Sequence, residues 1–170
     1  MERSKRQPNG QMSERVFAIY LRDHHAAGSA GTRLALRLAQ DVAPDVEPRD
    51  ELRRVAREIE EDLGTLGKIM EAEDVQPALI KDTAAKCAEF LGRFKPNGRL
   101  TGRSPLSDVI ELETLLVGIT GKAALWQTLA ERGTRADVDP HELLSRASRQ
   151  QSIVSRCRDS AALKAFATRG

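Results

Sequence analysis

Apolar residues recur at the spacing of an α-helix over residues 52–70, and this feature limits the fold of the chain more than any other. Side chains three or four positions apart share one face of a helix, whereas a strand would need alternation at every second position. The residues at this spacing are Leu52, Val55, Ile59, Leu63, Leu66 and Met70. The stripe predicts a long helix that buries one face against other helices.

The composition favours helices along the whole chain. Of its 170 residues, 31% are charged and only 4% are aromatic, and Ala, Leu, Arg and Glu outnumber the β-branched residues typical of strands. A chain of this length can bury the core of one domain without disulfides or metals. We therefore predict a single all-α domain over residues 13–168, preceded by a disordered basic tail over residues 1–12.

Prolines and capping residues divide the domain into four long helices. The first is predicted from Ser13 to Val42, and the second starts at Pro48. The other two begin with an N-cap residue followed by proline in the first helical position: Ser104 with Pro105, and Asp139 with Pro140. A shorter helix is predicted over residues 77–91, in the connection between the second and third long helices.

Four long helices with a short extra helix in this crossover predict a four-helix bundle of the ferritin-like kind. The directions of the long helices would be up, down, down and up. A five-helix up-and-down bundle gives these helices the same directions, so the pattern leaves both topologies open.

Charge and cysteine content limit the partners and the location. A net charge of +2, with acids and bases interspersed, gives no reason to expect a nucleic-acid partner. The most apolar run, residues 112–130, is interrupted by two charged residues and is too polar to span a membrane. No secretion signal is visible, and Cys87 and Cys157 form no metal or redox motif. We expect a cytoplasmic protein.

Two adjacent histidines in the first helix raise the question of a metal or proton-transfer site. Only His24 lies in the apolar stripe of that helix, because Asp23 and His25 are rotated by about 100° to either side of it. The stripe continues through Gly28 and Gly31, which predict a close helix crossing, as Gly118 and Gly121 do on the third long helix.

The other long helices each contribute an inward or flanking polar residue. Asp62 flanks the stripe of the second helix, with Glu58 one turn earlier, while Glu113 and Gln150 lie among apolar residues of the third and fourth. The helical wheel places Lys122 on the polar face of the third helix, where we expect it to be solvated.

These inward residues have two interpretations. His24, Glu58, Asp62 and Glu113 could ligate iron or manganese, as in carboxylate-bridged bundles. However, the chain has no Glu-x-x-His pair, and the inward polar residues are spread over about 10 Å along the bundle. We therefore favour a buried hydrogen-bond or ion-pair network without a cofactor.

The remaining motifs give little support for catalysis or for anion binding. No Ser/His/Asp set can be assembled from the three histidines, and no small-molecule ligand is indicated. The basic loop over residues 93–103 could hold an anion beside a helix start, but it lacks an aromatic platform or a phosphate-loop pattern. We interpret it as a solvated loop.

Three segments resemble an uncharacterised family of small helical proteins from actinobacteria: YLRDHHAAGSAG, EIEEDLGTLGKIM and RFKPNGRLTGRSPLSDVIELETLLVGITGKAALW. The helix order of that family is similar to the ferritin-like superfamily, which implies a metal-binding ancestry but no activity. We expect a non-catalytic bundle that acts by self-association or by binding a protein. The alternative is an iron- or manganese-binding protein or oxidoreductase with a degenerate carboxylate and histidine site.

Overall fold

The computed structural model describes residues 8–77 and 104–167, and these residues form four α-helices and no strand. The helices are α1 (Pro8–Asp41), α2 (Arg49–Ala72), α3 (Pro105–Arg132) and α4 (Pro140–Ala165). The all-α fold and the four long helices are therefore confirmed. The short helix predicted up to residue 91 and the basic loop lie outside the described residues, as does Cys87.

The starts of the last two helices follow the predicted caps. The Asp139 carboxylate accepts a hydrogen bond from the backbone N–H of His141 at 2.9 Å, directly before α4. Ser104 has the extended backbone of an N-cap before α3, although its side chain makes no capping bond. α1 begins at Pro8 rather than at Ser13, since proline is tolerated in the first turn of a helix.

The helices form a ring in which α1 packs against α2 and α3, and α4 packs against the same two. Side-chain contacts show that α1 and α3 are antiparallel. The Tyr20 hydroxyl lies 3.2 Å from that of Thr128, and further along both helices Arg37 forms an ion pair with Glu111 at 3.2 Å. The residue number therefore rises along α1 as it falls along α3.

The other neighbouring pairs are antiparallel as well. On α2 and α4, Glu51 pairs with Arg156 near one end, and Asp62 pairs with Arg146 further along. The Arg22 side chain of α1 donates to the carbonyl of Gln76 beyond α2. α1 and α4 thus run in one direction and α2 and α3 in the other, which confirms the predicted order of up, down, down and up.

The core consists of aliphatic side chains from all four helices together with the only tryptophan of the chain. The largest fully buried apolar side chains are Trp126, Leu21, Leu38, Leu52, Ile69, Met70, Leu112, Leu115, Ile119, Leu125 and Leu129. The predicted stripe of α2 is buried except at Leu63, which is partly exposed. No helix among the described residues is long and apolar enough to cross a membrane.

The buried face of α3 differs from the predicted one. The helical wheel placed Glu113 among inward apolar residues, but Glu113 is exposed, and so is the neighbouring Val117 on the same face, which retains 62% of its accessible surface. Leu112, Leu115 and Ile119 are buried instead. The wheel misplaces the face because α3 is apolar around most of its circumference, so the pattern gives little contrast between the two sides.

Candidate functional site

A network of polar side chains crosses the interior of the bundle and joins α2, α3 and α4. The Lys122 ammonium of α3 donates to the Asp62 carboxylate of α2 at 2.5 Å and to the Gln150 amide oxygen of α4 at 2.6 Å. The Gln150 amide nitrogen donates to Glu58 at 3.1 Å and to Asp62 at 3.3 Å. Since α2 and α3 lie diagonally in the ring, Lys122 connects two helices that do not pack directly.

Arg146 of α4 completes the network on its outer side. Its guanidinium lies 3.2 Å from the second oxygen of Asp62 and 3.4 Å from the exposed Glu61. The side chain of Asp62 has no exposed surface, and its two oxygens accept from three donors. Within the interior, the carboxylates of Glu58 and Asp62 balance the cations Lys122 and Arg146. A buried set of charges is tolerated when each is paired in this way.

The surroundings of Lys122 lower the pKa of its side chain. Burial lowers the pKa of Lys122 from its ordinary value, and the positive charge of Arg146 acts in the same direction, while Asp62 and Glu58 oppose the change. An ammonium group has three N–H donors, and Asp62 and Gln150 use two of them. No third acceptor occurs among the described residues, so one donor is available to a bound molecule.

A cavity of about 380 Å³ lies beside this network, between α1, α2 and α3. Its walls are mainly aliphatic side chains and glycines, for example Leu34 of α1, Leu63 of α2 and Leu115 of α3. The polar side chains at its boundary belong to His24, Thr114 and Lys122, while Asp62 adjoins the cavity with a carboxylate that has no exposed surface. The volume falls within the range of about 300–1,000 Å³ that is typical of small-molecule sites.

Glycines of α1 and α3 create the space. A Cβ atom at Gly31, Gly118 or Gly121 would meet nothing within 4 Å, and all three glycines line the cavity. At Gly28 a Cβ would lie 3.1 Å from the Leu63 side chain. The predicted close crossing is therefore correct only for Gly28. At the other three positions the interpretation is wrong, because the missing side chains leave open volume instead of a helix contact.

His24 belongs to the wall of this cavity and not to the polar network. Its ring packs edge-on against Tyr20 with the ring centroids 4.4 Å apart, and no hydrogen bond to the imidazole occurs within the described part of the chain. Burial lowers the pKa of His24, although the neighbouring Asp23 opposes this. The imidazole is therefore neutral at neutral pH, with one N–H donor and one acceptor nitrogen.

The four predicted metal ligands are divided among three places. Asp62 and Glu58 belong to the network and His24 to the cavity wall, whereas Glu113 lies at the surface and accepts hydrogen bonds from Arg158 at 2.8 and 3.0 Å. Across residues 8–77 and 104–167, no group of three or more His, Cys, Asp or Glu side chains could hold a metal ion. The network interpretation is confirmed for Asp62 and Gln150.

Lys122 and Arg146 are the functional residues that the sequence interpretation missed. Lys122 was expected to be solvated, but only 16% of its side chain is exposed. A signal was present in the sequence, since Lys122 lies at helical spacing from the buried residues Leu115, Ile119 and Trp126. A lysine within such a stripe indicates a buried cation that needs a carboxylate partner.

A second cluster fixes the end of α2 to the loop before α4. Glu73 is buried and accepts from the backbone N–H of Arg135 at 2.8 Å, from its guanidinium at 3.2 Å and from the Thr134 hydroxyl at 3.2 Å. Burial alone would raise the pKa of Glu73, but the hydrogen bonds from Arg135 and Thr134 lower it overall. Each oxygen of the carboxylate has a partner, so this cluster supports the fold and offers no site.

No protein-family model, curated protein or solved structure matches the chain. The function is therefore inferred from the cavity and the network beside it.

Proposed function

We propose that the protein is a non-catalytic binding protein that holds a small, mainly apolar molecule in the cavity between α1, α2 and α3. The observation that carries this proposal is a cavity of about 380 Å³ with aliphatic and glycine walls and a few polar groups at its boundary. The side chains that line such a cavity lack packing contacts on one side, which lowers the free energy of unfolding. A bound apolar ligand supplies the missing contacts.

The register of α1 and α3 separates a polar end of the cavity from an apolar end. The contacts of Tyr20 with Thr128 and of Arg37 with Glu111 bring His24 and Lys122 to nearly the same level of the bundle. Leu115 lies about two helical turns from Lys122 and Leu34 nearly three turns from His24, both toward the same end of the bundle. A ligand with one polar end and an apolar body fits this arrangement.

The charges beside the cavity favour a neutral ligand. Glu58, Asp62, Lys122 and Arg146 already balance one another, so a charged ligand would add an unpaired charge beside mainly apolar walls. The remaining N–H of Lys122 and the neutral imidazole of His24 can each donate to an oxygen atom. We therefore propose a neutral ligand with a hydroxyl or carbonyl oxygen at its polar end.

Calorimetric titration with three molecules of equal chain length tests the proposal: octanol, octanoate and octylamine. We expect octanol to bind with one molecule per chain and at least about tenfold more tightly than either charged molecule. Trp126 is the only tryptophan and lines the cavity, so its fluorescence provides a second readout. An absence of saturable octanol binding, or equal binding of all three, would contradict the proposal.

Self-association is a second candidate function, and exposed apolar side chains on α1 favour it. Met12, Val16 and Ile19 retain 64%, 58% and 49% of their accessible surface and follow helical spacing. Sedimentation equilibrium of the natural chain and of a variant with serine at these positions tests this function. We expect the natural chain to associate more strongly, and a monomer at all concentrations would exclude it.

The ferritin-like architecture is also proposed, and the observed helix directions agree with it, as they do with a five-helix up-and-down bundle. The resemblance to the actinobacterial family and the cytoplasmic location remain predictions. The iron or manganese alternative has no support among the described residues, because no three of its proposed ligands come together.

A further inference from the structure

We infer that Lys122 captures an apolar aldehyde or ketone as a reversible imine. The inference depends on the proposed ligand site and adds a covalent step to it. Among the described residues, Lys122 is the only lysine that lines the cavity. Its side chain therefore joins an apolar binding volume to a carboxylate, because it lines the cavity and its amine contacts Asp62.

Three features of the geometry suit this reaction. Lys122 lines the cavity near the level of His24, where the polar end of a ligand would be held, and the mainly apolar lining disfavours water beside an imine. Asp62 lies 2.5 Å from the amine and can accept its proton. Gln150 holds the amine from a third helix at 2.6 Å and so fixes its position. The lowered pKa of Lys122 agrees with this arrangement.

The reaction balances with groups that are present. Lys122 transfers a proton to Asp62, and the neutral amine attacks the carbonyl carbon to form a carbinolamine. Asp62 returns the proton to the hydroxyl group, which leaves as water while the carbon–nitrogen double bond forms. The product is a protonated imine, and no oxidant or reductant is needed.

The product also preserves the charge balance of the network. A protonated imine carries the same single positive charge as the ammonium that it replaces. Asp62 therefore keeps a cationic partner, and the balance with Glu58 and Arg146 is unchanged. Capture of a carbonyl compound therefore adds no unpaired charge to the site, whereas binding of a charged ligand would.

Trapping with octanal tests the inference on the full chain. The protein is incubated with octanal and cyanoborohydride, which reduces an imine to a stable secondary amine, and the modified residues are located by peptide mass spectrometry. We expect modification of Lys122 to be at least about tenfold faster than that of the exposed Lys68 and Lys164. Equal labelling of the exposed lysines, or no label on Lys122, would overturn the inference.

Two controls separate this inference from the proposed function. Octanol has the same chain but no carbonyl group, so it should protect Lys122 of the natural protein from the label. The Lys122→Arg variant keeps the positive charge beside Asp62 but cannot form an imine, and it should lose the main label, whereas Lys68→Arg should not. If octanol binds but Lys122 is not labelled, the covalent inference is wrong and the binding function stands. If octanol does not bind, the binding function fails.

Discussion

The two sides of α3 use buried space in opposite ways. Toward α2 and α4, Lys122, Asp62 and Gln150 fill the interior with short polar contacts in which donors meet acceptors. Toward α1, glycines such as Gly31 and Gly118 leave a cavity with aliphatic walls. The comparison indicates that the network fixes the relative positions of three helices, so that the bundle can tolerate incomplete packing beside them.

The largest expected effect comes from breaking the network at Asp62. Asp62→Ala leaves the buried cations Lys122 and Arg146 without their shared carboxylate. We expect a loss of about 3–5 kcal/mol in the free energy of unfolding, because an uncompensated buried charge is destabilising. Urea denaturation followed by circular dichroism measures this change.

An exposed ion pair of α2 provides the matched control. Asp50 pairs with Arg53 at 2.6 Å, but its side chain is 92% exposed. Asp50→Ala should lower the free energy of unfolding by less than about 1 kcal/mol. If the two aspartate variants lose equal stability, the network does not have the structural role assigned to it.

On the cavity side of α3, a small substitution should raise the free energy of unfolding instead of lowering it. Gly31→Ala and Gly118→Ala each add a methyl group where nothing lies within 4 Å and remove a flexible residue from a helix interior. We expect each variant to gain about 0.5–1 kcal/mol in the free energy of unfolding. Urea denaturation of the two variants beside the natural chain measures the gain.

Gly28→Ala sharpens this prediction within the same cavity wall. Its added Cβ would lie 3.1 Å from Leu63, so that side chain must shift to accommodate it. The gain should be smaller than at Gly118, or become a loss. A larger gain in the free energy of unfolding at Gly28 than at Gly118 would contradict this placement of the open space beside Gly118.

The smallest expected effect is a pH dependence from His24. Its pKa is lower in the folded chain than its ordinary value of 6.5, so the unfolded chain binds the proton more readily. The contribution of His24 to stability is therefore present above pH 6.5 and is lost as the pH falls through its folded pKa. Relative to His24→Gln, the natural chain should lose stability between pH 7 and pH 5. A constant difference between the two chains would contradict this prediction.

The sequence was sufficient to predict the helices because their determinants are local. Asp139 and Pro140 define the start of α4, and the apolar stripe defines the buried face of α2. The helix directions could be predicted because the connection between α2 and α3 is long, whereas the connections before α2 and after α3 are short. Asp62 and Gln150 were recognised as inward because they lie on or beside a narrow apolar stripe.

The cavity could not be predicted from local patterns, and the spacing signal for Lys122 was ambiguous because α3 is apolar around most of its circumference. A glycine permits a close crossing only if the facing helix supplies a side chain to fill the gap, as Leu63 does at Gly28. Gly31 lies near the level of Gly118 on the antiparallel α3, so neither supplies one. Which side of the apolar α3 faces the interior likewise depends on α1 and α4, against which it packs, and on α2 across the bundle.

The central claim is that the cavity between α1, α2 and α3 is a ligand site, and blocking it tests this claim most directly. Gly31→Leu places a side chain inside the cavity. Gly64→Leu adds the same side chain on α2, where a Cβ also meets nothing within 4 Å but the residue does not line the cavity. Octanol binding is measured by calorimetry for both variants and for the natural chain. We predict that Gly31→Leu weakens binding by at least about tenfold and that Gly64→Leu does not. Binding of equal strength to a folded Gly31→Leu variant would contradict the claim.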